Sequence, residues 1–297
     1  MDAQLVQLIV NGVTLGSIIA LAAVGLTLTY GILRLANFAH GDFMTLGAYL
    51  TFLLNTGIAI GQFQVPGINI WLAMIFGAAI TVAGVLLCEK LLWAPMRSRR
   101  ATSTTLIIIS IGLALFIRNG IILVWGGSNQ SYNLPIEEAL SIAGIRIPFY
   151  DIVVTVLALL TILALHYLLQ NTKIGKAMRA VADDIDLARV SGINVDRVVI
   201  WTWVIAGGLT ALGGSMLGLV EAVRPNMGWF LILPMFASVI LGGIGNPYGA
   251  IAGALTISVV QELSTYWLRT EYKLAVALVI MVLVLLVRPQ GLFRGTL

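Results

Sequence analysis

The chain is predicted to be an all-α polytopic membrane protein, on three observations. Of its 297 residues, 59% are hydrophobic and only 10% charged, with a mean hydropathy of +1.00. Apolar runs of the roughly 20 residues needed to cross a hydrocarbon core about 30 Å thick recur along its length. One stretch, Asn171 to Arg197, is the exception and holds nine of the charged residues. A soluble domain of this composition would leave apolar surface in water. The organisation predicted is one membrane domain, 1–297, with a single water-adapted loop at 171–197.

Met1 to Gln7 contains Asp2 but no Lys or Arg, so it lacks the basic start of a cleaved signal peptide, and the run after it is the first span. Spans follow at 5–33, 43–60, 68–92, 104–125, 150–170, 199–220 and 274–288. Region 230–262 is too long for one crossing. Gly242, Gly243, Gly245, Asn246, Pro247 and Gly249 interrupt it, which predicts one broken helix around 241–249. About nine crossings result if both halves traverse, and about eight if one is re-entrant. With the N-terminus outside and the C-terminus cytoplasmic, twelve Lys and Arg residues, Arg288 and Arg294 among them, fall inside. Four fall outside and Arg118 lies within a span, an asymmetry that favours this orientation. The net charge of +4 then reflects topology, and no cluster of stacking aromatics points to nucleic acid. Cys88 is the only cysteine, so an intrachain disulfide and a thiolate metal cluster are both excluded.

Small residues at four-residue spacing mark helix-packing faces, because helices in lipid associate through close backbone contact. Gly12, Gly16 and Ala20 form one such row, Gly207 and Ala211 another, and Gly245, Gly249 and Gly253 a third.

Three constellations could carry chemistry. Asn37, His40 and Asp42 cluster around Gly41 between the first two spans, and suit either a capped turn or a gating role. One His and one Asp are too few ligands for a metal site. The glycine-rich stretch from Gly242 and Gly243 through Gly245 lacks the Lys-Ser/Thr of a phosphate loop and points to exposed backbone beside a polar cavity. From Lys173 to Arg197, Ile174, Ala177, Met178, Val181, Ile185 and Ala188 recur at helical spacing, with charges on the other faces. One amphipathic helix over about 174–190 is expected, ending in a left-handed cap at Gly192. Four acids nearly cancel five bases there, unlike a basic membrane-surface anchor, so the apolar stripe is expected to seat in a soluble partner. Arg118 and Asn119 lie inside the fourth span, where Arg118 either snorkels to the outer surface or lines a pathway.

The segments Asn11-Gly12-Val13-Thr14-Leu15-Gly16-Ser17, Tyr30-Gly31-Ile32 and Asn37-Phe38-Ala39-His40-Gly41-Asp42 resemble signatures of the membrane permease of bacterial branched-chain amino acid ABC importers. So do Gly175-Lys176-Ala177-Met178-Arg179-Ala180, Gly192-Ile193-Asn194-Val195-Asp196-Arg197 and Leu241-Gly242-Gly243-Ile244-Gly245, and the likeness covers essentially the whole chain. The resemblance implies a subunit of the bacterial inner membrane, paired with a homologous second permease in a heterodimer rather than a homodimer. Two cytoplasmic ATPase subunits and an external binding protein complete the importer. The loop around Ala177 to Gly192 would couple to the ATPase, ATP and Mg would sit in those partner subunits, and this chain would bind no cofactor and catalyse nothing. A urea or amide importer permease is the alternative. An ion-coupled secondary transporter would need membrane-embedded acids, and Glu89, Glu221 and Glu262 sit near span ends, where solvation explains them. An intramembrane enzyme would need a reactive pair such as His40 and Asp42. No His-Glu-x-x-His pair, Gly-x-Ser-x-Gly elbow or cofactor fingerprint is present.

Overall fold

The computed structural model describes residues 3–60, 63–135, 137–142, 144–288 and 290–293, and in it each apolar run has become a helix. Met1, Asp2 and Arg294, used above, lie outside the described residues. Helix α1 (Ala3–Leu33) leads to α2 (His40–Thr56) and an antiparallel hairpin of β1 (Gly57–Ile60) and β2 (Phe63–Pro66). Helix α3 (Ile70–Cys88) runs through a π-turn (Glu89–Trp93) into α4 (Ala94–Ser98), and α5 (Ser103–Trp125) follows. A second antiparallel hairpin, β3 (Leu140–Ile142) with β4 (Ile145–Ile147), precedes α6 (Phe149–Asn171). The polar stretch then forms α7 (Lys173–Asp183) and α8 (Ile185–Val190). Helices α9 (Val195–Val220), α10 (Met227–Gly242), α11 (Pro247–Ser264) and α12 (Lys273–Val287) complete the bundle.

Six segments among the described residues are long and apolar enough to cross a membrane: α1, α3 with α4, α5, α6, α9, and Thr270–Val287. Helices α2, α10 and α11 pack against α1, the helix around which the bundle is built. α1 is buried without a break from Gly16 to Thr29, as a span enclosed by other spans must be. Its 31 residues extend about 46 Å at 1.5 Å per residue, longer than the hydrocarbon core.

The predicted small-residue rows are the contact faces. A Cβ on Gly12 would fall 2.7 Å from the Val259 Cα of α11, and one on Gly16 would fall 3.1 Å from the Leu255 Cα. Gly207 faces Val85 of α3, and Ala211 faces Gly47 of α2. Side-chain caps set the helix starts: Asn69 Oδ1 accepts from the Trp71 amide, Thr102 Oγ1 from Thr105, and Asn194 Oδ1 from Arg197.

Two boundaries differ from expectation. Helix α1 ends where Arg34 takes a left-handed conformation, φ 52°, and the chain folds back beside it. His40 Nε2 therefore lies 2.8 Å from the Ala22 carbonyl, so α2 starts opposite the middle of α1 and not at its inner end. Around 241–249 the chain does not continue as one interrupted helix. Gly243 (φ 102°) and Gly245 (φ 88°) turn it sharply, and Asn246 Oδ1 caps α11 by accepting from the Tyr248 and Gly249 amides. Gly249 lies on Gly242 and Gly253 on Ser238, so α10 and α11 form an antiparallel helical hairpin.

A Cβ on Gly249 would sit 2.2 Å from the Gly242 carbonyl oxygen, whereas one on Gly112 would meet nothing within 4 Å. Gly249→Ala is expected to cost about 1–3 kcal/mol through overpacking and to lower the thermal unfolding midpoint in detergent. Gly112→Ala should leave the midpoint unchanged or raise it. Equal midpoints for the two variants would show that the hairpin does not depend on this contact.

Candidate functional site

The polar groups of the Asn37–Asp42 turn are drawn into the bundle. Asn37 is fully buried, and its Oδ1 accepts from the Ala39 amide at 3.1 Å, a local turn that launches α2. Its Nδ2 is buried with no partner among the described residues. His40 Nε2 lies 2.8 Å from the Ala22 carbonyl and 2.7 Å from Thr210 Oγ1, whose own proton goes to the Ala206 carbonyl. Both neighbours thus accept, and Nε2 carries the proton. One imidazole ties α1, α2 and α9.

Asp42 has a partner that no sequence interval reveals. Arg118 Nε donates to Asp42 Oδ1 at 3.0 Å and Nη2 to Oδ2 at 3.1 Å, a bidentate pair joining α5 to α2 across 76 residues. The guanidinium carbon also lies 4.4 Å from the Trp229 ring centroid, which brings in α10. The Arg118 side chain is 14% exposed and that of Asp42 1%, so Arg118 does not snorkel to the surface. The helix starts of α2 and α10 abut here: a Cβ on Gly41 would fall 2.3 Å from the Gly228 oxygen, and the Gly228 amide donates to Thr45 Oγ1 at 3.0 Å. Asn119 is not part of this cluster. It is exposed, and its Nδ2 donates to the Leu115 carbonyl of its own helix.

The three acids assigned to solvated span ends are all ion-paired. Glu89 pairs with Arg97 around the π-turn, Glu221 with Arg224, and Glu262 with Lys273 at 2.6 Å.

The segment after α6 is two helices rather than one. Thr172 Oγ1 accepts from the Gly175 amide to start α7, and Asp184 Oδ1 accepts from the Asp186 and Leu187 amides to start α8. Gly192 ends α8 in the left-handed cap expected, φ 84°, with the Ile193 amide donating to the Ala188 carbonyl. The apolar stripe faces the chain's own bundle. Met178, Val181 and Ala188 are at most 3% exposed, and Ile174 and Ala177 pack against the same core. The apolar side chains left to solvent are Ile185, Leu187 and Val190, the last two 62% and 81% exposed. The apolar stripe is thus largely covered within the chain, Ile185 excepted.

A family model described as the branched-chain amino acid transport system / permease component matches residues 8–285. The chain belongs to this permease family. It is 33% identical to the high-affinity branched-chain amino acid transport system permease protein LivH of Salmonella typhimurium, with 96% of this chain and 94% of that protein covered. The LivH protein of Escherichia coli gives the same identity and coverage, and BraD of Pseudomonas aeruginosa is 31% identical over 96% of this chain and 94% of its own length. No solved structure matches the chain.

Two polar cavities lie at opposite ends of the permease. One, of about 440 Å3, is lined by Gln7, Asn11 and Thr14 of α1 and by the start of α6. The other, of about 490 Å3, lies where α1 ends, with Arg34, Arg97, Asp183, Arg189 and Asp196 on its walls. The buried middle of α1 separates them, and Asn37, His40 and Asp42 line neither. Sequence reading missed the first cavity, although Gln7, Asn11 and Thr14 already share a helical face at four- and three-residue spacing. It also missed Trp229, Leu187 and Val190.

Removing one partner of a buried ion pair costs about 3–5 kcal/mol, and removing both together costs much less. Asp42→Asn and Arg118→Met are each expected to lower the unfolding midpoint in detergent sharply, and the double variant should recover part of the loss. A double variant whose loss equals the sum of the singles would show that the charges are not coupled.

Proposed function

We propose that the chain is a transmembrane subunit of an ATP-driven ABC importer of branched-chain or other neutral amino acids in the bacterial inner membrane. The N-terminus of this subunit is outside and its C-terminus cytoplasmic. The supporting observation is the α7–α8 segment: a water-adapted structure, tied to the bundle by its own apolar stripe, that still leaves Ile185, Leu187 and Val190 in solvent beside Asp183, Asp186 and Arg189. An apolar patch ringed by charge on a short helix is the form a docking element takes. In this reading α8 seats in a cytoplasmic ATPase subunit. Met178, Val181 and Ala188 do not touch that partner but carry its movement into the bundle. Two ATPase subunits hold ATP and Mg, a homologous second permease completes the pathway as a heterodimer, and an external binding protein delivers substrate. The chain itself binds no cofactor and is not an enzyme. Cavities at both ends with a closed α1 between them suit alternating access, in which closure of the ATPase pair opens one end as the other shuts.

Co-expression with the ATPase subunits, the second permease and the binding protein, followed by reconstitution into vesicles, is expected to give leucine uptake that requires ATP. Uptake driven by a proton or sodium gradient without ATP would overturn the reading, and urea in place of leucine as the accumulated solute would redirect it.

Leu187→Asp and Val190→Asp are expected to abolish copurification of the ATPase while leaving the unfolding midpoint of the permease unchanged. Val181→Asp should instead lower that midpoint, because it buries an unpaired carboxylate in the chain's own core. Normal ATPase copurification with Leu187→Asp and Val190→Asp combined would remove α8 from the docking surface.

A further inference from the structure

The cavity at the α1 start contains two opposite charges that do not neutralise each other. Five charged side chains line it: Arg146, Asp151, Glu221, Glu262 and Lys273. Glu262 is held by Lys273, and Glu221 by Arg224. Asp151 and Arg146 remain. The Asp151 side chain has no hydrogen bond or ion pair to any described residue, although the residue is only 8% exposed. The Arg146 guanidinium likewise has no partner among the described residues.

Local structure puts both groups there deliberately. The Arg146 amide donates to Gln7 Oε1 at 3.0 Å, which fastens the β3–β4 hairpin to α1, and Gln7 Nε2 in turn donates to Asn11 Oδ1. Pro148 then starts α6, and Asp151 falls in its first turn, facing back into the cavity. An acid is favourably placed in a helix's first turn, and with the residue otherwise buried its carboxylate oxygens open only onto the cavity, where a cationic group that enters can reach them.

We infer that this cavity is an α-amino acid cradle within the single permease chain, with Asp151 receiving the α-ammonium group and Arg146 the α-carboxylate. A zwitterion satisfies both charges at once, whereas an ion of either sign leaves one unpaired. Leu15, Ile18, Leu217 and Val220 supply an apolar wall for an aliphatic side chain. The volume of about 440 Å3 lies within the range of roughly 300–1,000 Å3 typical of small-molecule sites. The inference rests on the importer reading only for the direction of movement: the cradle lies at the end of the bundle opposite α7–α8, where substrate would arrive from outside.

The test uses the complete importer in vesicles. Asp151→Asn and Arg146→Gln are each expected to slow leucine uptake about tenfold or more, the scale of a lost charged hydrogen bond, with ATPase copurification retained. Arg146 is exposed, so its variant folds even if that of Asp151 does not. In parallel, Leu15→Cys in a Cys88→Ala background is labelled with a small thiol-reactive methanethiosulfonate. Leucine should slow the labelling, while 3-methylbutylamine and 4-methylpentanoate, which each carry one of its two charges, should not. Unchanged uptake in Arg146→Gln, or equal protection by a singly charged analogue, would overturn the cradle. Protection by the binding protein but not by leucine would also overturn it. Failure of the unsubstituted complex to accumulate leucine would sink the importer reading alone, because the labelling experiment judges the cradle without transport.

Discussion

The interaction on which the bundle depends is the buried pair of Asp42 and Arg118. Away from water a lone carboxylate or guanidinium is costly, so each of these residues requires the other wherever the chain places them. That requirement brings α5 to the start of α2, and the stacking of Arg118 over Trp229 adds the start of α10. Gly41 and Gly228 then permit the backbone contact that lets the two helix starts meet, since a Cβ on either would collide with the other's carbonyl. His40 fixes the same junction to α1 and α9 through its single Nε2 proton. The turn is thus a structural junction among five helices, and any role in gating passes through the positions of those helices.

Around that junction, packing is set by small residues. α1 approaches α11 along Gly12 and Gly16 and approaches α9 at Gly25, close enough that side chains of ordinary size would not fit. This is the arrangement expected where neighbouring lipid is as apolar as the side chains and contact distance, rather than expulsion of water, rewards association. The outer helices, α5 against α2 and α12 against α10 and α11, instead carry large exposed apolar side chains, among them Phe116 and Leu123 on α5 and Leu286 and Val287 on α12. Such surfaces suit hydrocarbon or another subunit.

The two ends of the permease differ in kind. At one end a hairpin and the first turn of α6 place around a cavity opposite charges that have no partner among the described residues. At the other, α7 and α8 are clamped to the bundle by Met178, Val181 and Ala188 and expose a small apolar patch. The buried middle of α1 separates the two ends.

The sequence by itself determined the membrane class, the approximate positions of the long spans, the faces on which small residues pack, and the left-handed cap at Gly192. These depend on apolar length, on four-residue spacing and on local backbone preference, all of which are written within a few turns of chain. Tertiary structure alone decided what the charges and the amphipathic stripe meet. Arg118 finds Asp42 at a separation of 76 residues, and Glu262 finds Lys273, because burial forces pairing but does not name the partner. Amphipathicity in α7 said that one face would be covered, not that the chain's own core would cover it. The cavity charges of Arg146 and Asp151 were legible as residues but not as a site, because only the folded chain shows which charges remain unpaired.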